Sequence, residues 1–113
     1  IRTSLFIDPN LKDVKIAKKL NIDCIELHTG KISNLVKSKK DFKNELNKIK
    51  KCCLLAKKIG IEVHAGHGLD YKTTNILSKI PEIIEFNIGH FIIGEAITHG
   101  LSKTIKKFRK SIK

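Results

Sequence analysis

Two histidines and two glycines stand together where an apolar, strand-like stretch of the sequence ends. The stretch IEVHAGHGL, residues 61–69, contains His64, Gly66, His67 and Gly68. Imidazole titrates near neutral pH and can deliver a proton, while glycine lets the backbone turn sharply and bring a bare N–H against a phosphate. The pattern therefore indicates proton transfer beside an anion site. The alternative is a turn with an incidental exposed histidine.

Other polar side chains share one face of the strands that the sequence predicts. Successive strand residues point to opposite faces, so alternate positions lie together. One face collects Ser4, Phe6, Asp8, Cys24, Glu26, His28, Glu62, His64, Glu85 and Asn87. The other carries Leu5, Ile7, Ile25, Leu27, Ile61, Val63, Ile84 and Phe86. We expect the apolar face to pack on helices and the polar face to gather carboxylates and imidazoles.

The elements that position these residues follow from a pattern that switches between period 2 and period 3.6. Strands are predicted at residues 2–8, 23–28, 61–65 and 83–87. Helices are predicted at about 10–20, 39–59, 72–79, 89–99 and 102–112, with Gly60 ending the second and Ser102 capping the last. The stretch after Gly30 is predicted to be irregular up to the long helix. No linker interrupts the pattern, so residues 1–113 are interpreted as a single partial domain.

Alternating strands and helices predict parallel strands joined by right-handed crossovers. Four such units form either a small open sheet or half of an eight-stranded barrel. A doubly wound sheet would need both faces apolar, whereas one face here is polar, as in the lumen of a catalytic (β/α)₈ barrel. The predicted fold class is therefore α/β, half of a TIM barrel with an extra short helix after the last strand.

Composition limits the function classes. Lys and Arg number 23 against 11 Asp and Glu, which gives a formal net charge of +12. The lysines are spread over several predicted helices, and two arginines and one tyrosine provide little for base recognition or stacking. No apolar run approaches the ~20 residues that span a bilayer, and no signal peptide is recognisable. We expect a cytoplasmic protein that binds neither nucleic acid nor membranes.

The cysteines and the missing methionine complete the composition. Cys24, Cys52 and Cys53 form an odd set without C-x-x-C spacing, which favours buried, reduced thiols over disulfides or a zinc site. The chain begins with Ile1 and contains no methionine. We therefore expect a fragment, and we expect no metal.

Five segments resemble one enzyme family in order and spacing. They are SLFID, IELHTG, AGHGLDY, IPEIIEFNIGHFIIGEA and the closing basic helix, and the likeness covers essentially all 113 residues. The chain resembles the C-terminal half of the pyridoxine 5'-phosphate synthases, TIM-barrel enzymes of vitamin B6 biosynthesis. The resemblance implies condensation of 1-deoxy-D-xylulose 5-phosphate with 3-amino-2-oxopropyl phosphate to pyridoxine 5'-phosphate, inorganic phosphate and water. It also implies phosphate-ester substrates, no metal or organic cofactor, and a homo-oligomer, which is an octamer in the family.

Individual residues receive roles from the resemblance and from helix geometry. His67 matches the family's proton donor, and Glu26 matches a glutamate that stabilises a cationic transition state. Gly89 and His90 are predicted to begin the short helix after the last strand, so their N–H groups, with that of Gly68, can bind phosphate. Two alternatives stay open: Glu26 could form a structural ion pair, and Gly89 could only permit the strand-to-helix turn.

Residues beside these carry weaker hypotheses. His28 and Thr29 could orient Glu26 or only pack near it. Asp8 is interpreted as a helix cap or a hydrogen-bond acceptor rather than a catalyst. His99 is interpreted as a surface histidine at a helix end.

Two positions depart from the family pattern. His64 stands where Asn is common, and we expect it to hydrogen-bond without being catalytic. Glu95 stands where Arg is frequent, which reverses the charge. The N-terminal half, which in the family supplies the amino-ketone contacts and two general bases, is not in this chain. The competing hypotheses are a synthase represented by one half, a phosphate-ester-binding half-barrel without turnover, and a basic nucleic-acid-binding domain.

Overall fold

The computed structural model describes residues 1–112, which form four strands and six helices. The strands are β1 (Ser4–Ile7), β2 (Cys24–His28), β3 (Glu62–Gly66) and β4 (Ile83–Asn87). The helices are α1 (Leu11–Lys19), α2 (Gly30–Lys37), α3 (Lys43–Ile59), α4 (Tyr71–Leu77), α5 (His90–His99) and α6 (Leu101–Ser111). All neighbouring strands are parallel, in the order β1-β2-β3-β4. The predicted α/β class is confirmed, and the consecutive βα units are consistent with half of a TIM barrel.

The core lies between the apolar face of the sheet and the helices that cover it. Ile25 and Leu27 of β2 are fully buried, as is Ile49 of α3. All three cysteines are buried and free, as predicted. Burial raises the pKa of Cys52 to about 11 and that of Cys53 to about 12. Both side chains therefore remain neutral thiols at physiological pH.

The stretch predicted to be irregular is instead helix α2. Ile32 and Val36 lie one turn apart and are both buried against the core. Glycine, serine, asparagine and β-branched residues give this stretch a low helix propensity, so tertiary packing stabilises the helix. Lys39, with φ of 55°, adopts the left-handed conformation that terminates α2, and α3 begins only at Lys43. The predicted start of the long helix near residue 39 is therefore wrong.

The prediction that Ser102 caps the last helix is wrong, and of the two interpretations of Asp8 the structure contradicts the helix cap. Asn10 rather than Asp8 caps α1, because its side chain accepts a hydrogen bond from the Asp13 N–H at 2.8 Å. Ser102 lies inside α6, which begins one residue earlier, after Gly100. Gly100 has φ of 84°, so the break between α5 and α6 is made by backbone conformation rather than by a capping side chain.

Strand β4 departs from the predicted alternation. Ile84 is 62% exposed while Ile83 is buried, although Ile84 was predicted to face the helices. The pairing register shifts between Val63 and His64, so one residue of β4 has no partner on β3. Such a bulge redirects the side chains that follow it. As a result Asn87 reaches the polar face, where the sequence predicts it.

The lysines occupy the solvent-exposed sides of several helices. On α3, Lys50, Lys51, Lys57 and Lys58 are all exposed, while the residues between them include buried core positions. The excess positive charge is therefore distributed rather than collected on one element. Among the helices of residues 1–112, none has the length and apolar character needed to cross a bilayer.

Candidate active site

One cavity at the carboxyl ends of the strands brings together all five residues predicted to carry function. Its volume is about 370 Å³. The residues are Glu26, His67, Gly68, Gly89 and His90. They come from β2, from the turn after β3 and from the start of α5, and parallel strands direct such ends to the same edge of the sheet.

Glu26 lies on the polar face of β2 and is held by a residue of β4. Asn87 Nδ2 donates a hydrogen bond to Glu26 Oε2 at 2.9 Å. Gly66 leaves the space for this carboxylate, because a Cβ there would collide with Glu26 Oε1 and lie 2.8 Å from Glu26 Cδ. Within residues 1–112 no Lys, Arg or His forms an ion pair with Glu26. The neutral amide of Asn87 thus holds the carboxylate in place. The alternative hypothesis was a structural ion pair, and Glu26 has no positively charged partner for one within residues 1–112.

His67 follows β3 in a backbone conformation that is rare for residues with a Cβ. Its φ is 80°, and that of Gly68 is 74°, so two consecutive residues are left-handed and turn the chain out of the sheet. The His67 ring lies 4.5 Å from the His28 ring and 6.3 Å from the Phe6 ring, measured between centroids. His28 Nδ1 accepts a hydrogen bond from the Gly30 N–H at 3.0 Å, which places the proton of its neutral ring on Nε2. The turn presents the His67 imidazole to the cavity.

Thr29, immediately after β2, contacts this turn directly. It is fully buried, and its Oγ1 donates to the carbonyl oxygens of Gly66 at 2.7 Å and His67 at 2.8 Å. The Thr29 N–H donates to the Gly66 carbonyl at 2.9 Å. Like His28, Thr29 therefore supports the His67 turn. Neither residue has a hydrogen bond to Glu26 in the described structure, although orientation of Glu26 was one hypothesis for both.

Gly89 and His90 reach the cavity where α5 begins. Gly89 is the N-cap residue of α5 and His90 its first residue, close to the predicted start. A Cβ added at Gly89 would meet no atom within 4 Å, and its φ of −127° suits any residue. Packing therefore does not require glycine there. The unpaired N–H groups of a helix start and the positive end of its dipole favour an anion.

Six further residues line the cavity without having been assigned a role from the sequence. They are Phe6, Lys37, Leu69, Asn87, Ile88 and Phe91. Phe6 and Asn87 belong to the predicted polar face, so strand alternation contained the signal for both. Lys37 is the last residue of α2, and because that stretch was predicted to be irregular, nothing in the sequence indicated where its side chain lies.

A row of ionisable groups lies on the same face, nearer the amino ends of the strands. His64 Nε2 is 2.7 Å from Glu62 Oε1, and His64 Nδ1 is 3.5 Å from Glu85 Oε1. Arg2 Nη2 reaches the same Glu62 oxygen at 2.9 Å. The hydrogen bond from His64, and next that from Arg2, lowers the pKa of the Glu62 carboxyl. His64 thus takes part in hydrogen bonding, and it lies outside the lining of the cavity.

The second departure from the family pattern lies away from the cavity. Glu95 Oε2 is 3.3 Å from His99 Nε2, one turn along α5. The His99 side chain is 52% exposed, which agrees with its interpretation as a surface residue. Within residues 1–112, no group of three or more His, Cys, Asp or Glu side chains is arranged to hold a metal ion.

The chain matches known proteins along its whole length. A family profile described as "Pyridoxal phosphate biosynthesis protein PdxJ" matches residues 1–113. A pyridoxine 5'-phosphate synthase of Pelagibacter ubique (strain HTCC1062) is 76% identical over 110 residues, which are 97% of this chain and 46% of that protein. Proteins of the same name from Zymomonas mobilis (strain ATCC 31821 / ZM4 / CP4) and Ehrlichia ruminantium (strain Gardel) are 49% and 42% identical, and the chain covers 42% and 45% of their lengths. The chain therefore spans less than half the length of these curated relatives.

Proposed function

The chain belongs to the pyridoxal phosphate biosynthesis protein PdxJ family, and from this premise we propose that it is one half of a pyridoxine 5'-phosphate synthase. The proposed reaction is a ring-closing condensation of 1-deoxy-D-xylulose 5-phosphate with 3-amino-2-oxopropyl phosphate. Its products are pyridoxine 5'-phosphate, inorganic phosphate and water. The observation that carries the proposal is the single cavity that combines an imidazole, a carboxylate and the amides of a helix start.

We assign the chain to the C-terminal half of a TIM barrel, as a single partial domain over residues 1–113. β1 and β4 each pair with one neighbour in the described sheet, so both outer edges are available to further strands. The relatives are more than twice as long as the matched segment, which leaves length for four more βα units. In this proposal the remaining length supplies the amino-ketone contacts and the two general bases.

His67 is proposed as the proton donor. Imine formation, loss of water and ring closure each require a proton at a departing oxygen, and imidazole can deliver one near neutral pH. The left-handed turn carries the His67 ring out of the sheet and into the cavity lining, which supports this role.

Glu26 is proposed as the transition-state stabiliser. Imine and iminium intermediates carry positive charge, and a carboxylate fixed nearby lowers their free energy without reorganising. The hydrogen bond from Asn87 and the close fit against Gly66 hold this carboxylate in place before substrate arrives.

The N–H groups of Gly68, Gly89 and His90 are proposed to bind the phosphate of the substrate and product. These residues line the cavity from two sides, one from the turn after β3 and two from the start of α5. Because backbone amides supply the contacts, binding is expected to weaken far less with salt than nucleic-acid binding would.

The partners and setting of the protein follow from the same proposal. We expect small phosphate esters as its ligands, no metal or organic cofactor, no nucleic acid, and no membrane. We also expect a cytoplasmic homo-oligomer, with the octamer of the family as the specific hypothesis.

The test is a turnover assay on the full-length protein that contains this chain. Purified protein is mixed with both phosphate substrates, and pyridoxine 5'-phosphate and inorganic phosphate are measured together. Equal amounts of the two products are expected, and a Glu26→Gln variant should lower both rates. A folded full-length protein that forms neither product would refute the synthase proposal.

A second candidate applies to the 113-residue chain by itself, namely a phosphate-ester-binding half-barrel without turnover. It is favoured by the fact that the chain spans less than half of its relatives. In a titration with pyridoxine 5'-phosphate at two salt concentrations, the affinity should weaken far less than that for nucleic acid, which would fall by orders of magnitude. We also expect self-association through the free edges of β1 and β4, so a monodisperse monomer at high concentration would count against the half-barrel.

A further inference from the structure

We propose that Thr29 is a positioning residue of this site, whose hydroxyl group orients the His67 ring and the Gly68 N–H. The inference rests on the proposed function, because that function assigns the roles of His67 and Gly68. Thr29 is fully buried and is absent from the cavity lining, so it acts through the turn and does not touch substrate.

The contacts of Thr29 form a clamp between the end of β2 and the turn after β3. One side chain reaches two consecutive carbonyl oxygens, that of Gly66 at 2.7 Å and that of His67 at 2.8 Å. A threonine hydroxyl carries one proton, so the two carbonyls share it. The Thr29 N–H adds a further bond to the Gly66 carbonyl at 2.9 Å. Both peptide groups that flank His67 are therefore anchored to the same residue.

This anchoring fixes the direction of the amide that is proposed to bind phosphate. The C=O and N–H of a trans peptide group point in opposite directions, and no peptide bond of the described chain is cis. Since the His67 carbonyl points at Thr29, the Gly68 N–H of the same peptide group points away from β2. Gly68 lines the cavity together with Gly89, and its N–H donates no hydrogen bond to another residue in the range 1–112. It is thus left available for a ligand.

The same clamp holds the backbone of His67 in its left-handed conformation. A residue with a Cβ adopts such a conformation only when its surroundings impose it. The His28 ring, 4.5 Å away, packs on the His67 ring from the neighbouring strand. Gly30 makes room for this pair, because a Cβ there would lie 2.5 Å from His28 Cε1 and 3.1 Å from His67 Cδ2. The segment His28–Gly30 therefore sets both the backbone and the ring of the proposed proton donor.

The test distinguishes the effect of the Thr29 hydroxyl group from the effect of the side chain's size. In the full-length protein, Thr29→Val keeps the shape and removes the hydroxyl, while Thr29→Ser keeps the hydroxyl. We expect Thr29→Val to lower kcat by about 10- to 100-fold, the usual effect of a misplaced catalytic group, and Thr29→Ser to stay within about threefold of wild type. Thr104→Val is the matched control, because Thr104 is almost equally buried, donates to the Gly100 carbonyl at 2.9 Å, and is absent from the cavity lining. It should leave kcat unchanged.

A binding measurement gives a second readout that a purely structural role would not move. Inorganic phosphate is titrated into ¹⁵N-labelled full-length protein, and the amide signal of Gly68 is followed. We expect a saturable shift in wild type and Thr29→Ser, and a loss of that shift in Thr29→Val with the signals of α6 unchanged.

The outcomes distinguish the inference from the proposed function. A folded Thr29→Val protein with wild-type kcat and a wild-type Gly68 shift would refute the positioning role of Thr29 and would leave the synthase proposal unaffected. An inactive wild-type protein would overturn the synthase, while the Gly68 shift would still test the clamp. If Thr29→Val does not fold, Thr29→Ser and Thr29→Ala provide the same comparison, since they differ only in the hydroxyl. Equal kcat and equal phosphate response in that pair would overturn the inference.

Discussion

The space that Gly66 leaves for the Glu26 carboxylate can be tested by filling it with a methyl group. In Gly66→Ala the new Cβ would collide with Glu26 Oε1 and would also lie 3.3 Å from Asn87 Cβ. The Glu26 side chain is flexible and can rotate away, so we expect the fold to survive. The rotation breaks the 2.9 Å hydrogen bond from Asn87 and removes the carboxylate from its position in the cavity.

The magnitude follows from two opposing contributions. A hydrogen bond to a charged group stabilises a protein by about 1.5–3 kcal/mol, and the low end applies because Asn87 is exposed. Replacing glycine by alanine in a strand stabilises a protein by about 0.5–1 kcal/mol, because alanine loses less conformational freedom on folding. Gly66→Ala should therefore destabilise the protein by about 0.5–1 kcal/mol. With Glu26→Ala already present, the same change should have no cost or should stabilise by up to about 1 kcal/mol.

Urea unfolding of the full-length protein and of the three variants measures this double-mutant cycle. Turnover of Gly66→Ala should fall by about 10²–10³, the effect of losing one preorganised electrostatic group. Gly94→Ala in α5 is the matched control, since a Cβ there meets no atom within 4 Å. It should stabilise both backgrounds equally, by up to about 1 kcal/mol. An equal cost of Gly66→Ala with and without Glu26 would refute the reasoning.

Three further predictions concern the cavity and the core. His67→Asn should keep binding of phosphate esters within a few fold and lower turnover by about 10²–10⁴, and equal turnover would remove His67 from the mechanism. Gly89→Val should raise the dissociation constant for pyridoxine 5'-phosphate at least tenfold, or about 1.4 kcal/mol. His90→Ala should stay near wild type, because it keeps its backbone N–H. Unchanged binding by a folded Gly89→Val protein would contradict the phosphate site. Burial raises the pKa of Cys52 to about 11 and that of Cys53 to about 12. Both thiols should therefore react with a disulfide reagent at pH 8 only after the protein is denatured. Rapid reaction of these two thiols in the native protein would argue against this packing.

Strand alternation predicted where Glu26 and Asn87 lie, whereas the roles of Glu26 and His67 came from the family resemblance and the phosphate site from helix geometry. A period of two placed Glu26 and Asn87 on one face, and parallel strands then brought both to the same edge of the sheet as His67. The period of 3.6 that predicted the long helix likewise agrees with the burial of Ile49. These features are local, because each depends on spacing within a single element.

The features that the sequence did not predict depend on partners far along the chain. Helix α2 has weak local propensity and is stabilised by burying Ile32 and Val36. The bulge that exposes Ile84 arises from how β4 pairs with β3. The clamp on the His67 turn comes from Thr29, which is 38 residues away in sequence. No single-element pattern contains such a relation, because the pairing of strands creates it.

The pairing of β2 with β3 has a consequence for how the site is assembled during folding. In the native register Glu26 lies opposite His64 and His28 opposite Gly66, which puts Thr29 beside the turn and leaves Gly66 next to the Glu26 carboxylate. A slip of one residue would move every side chain of a strand to the other face. Such a slip would move the Glu26 carboxylate away from Gly66. It would at the same time move Thr29 away from the His67 turn. A misregistered sheet is therefore expected to lack the placed carboxylate and the anchored His67 turn together.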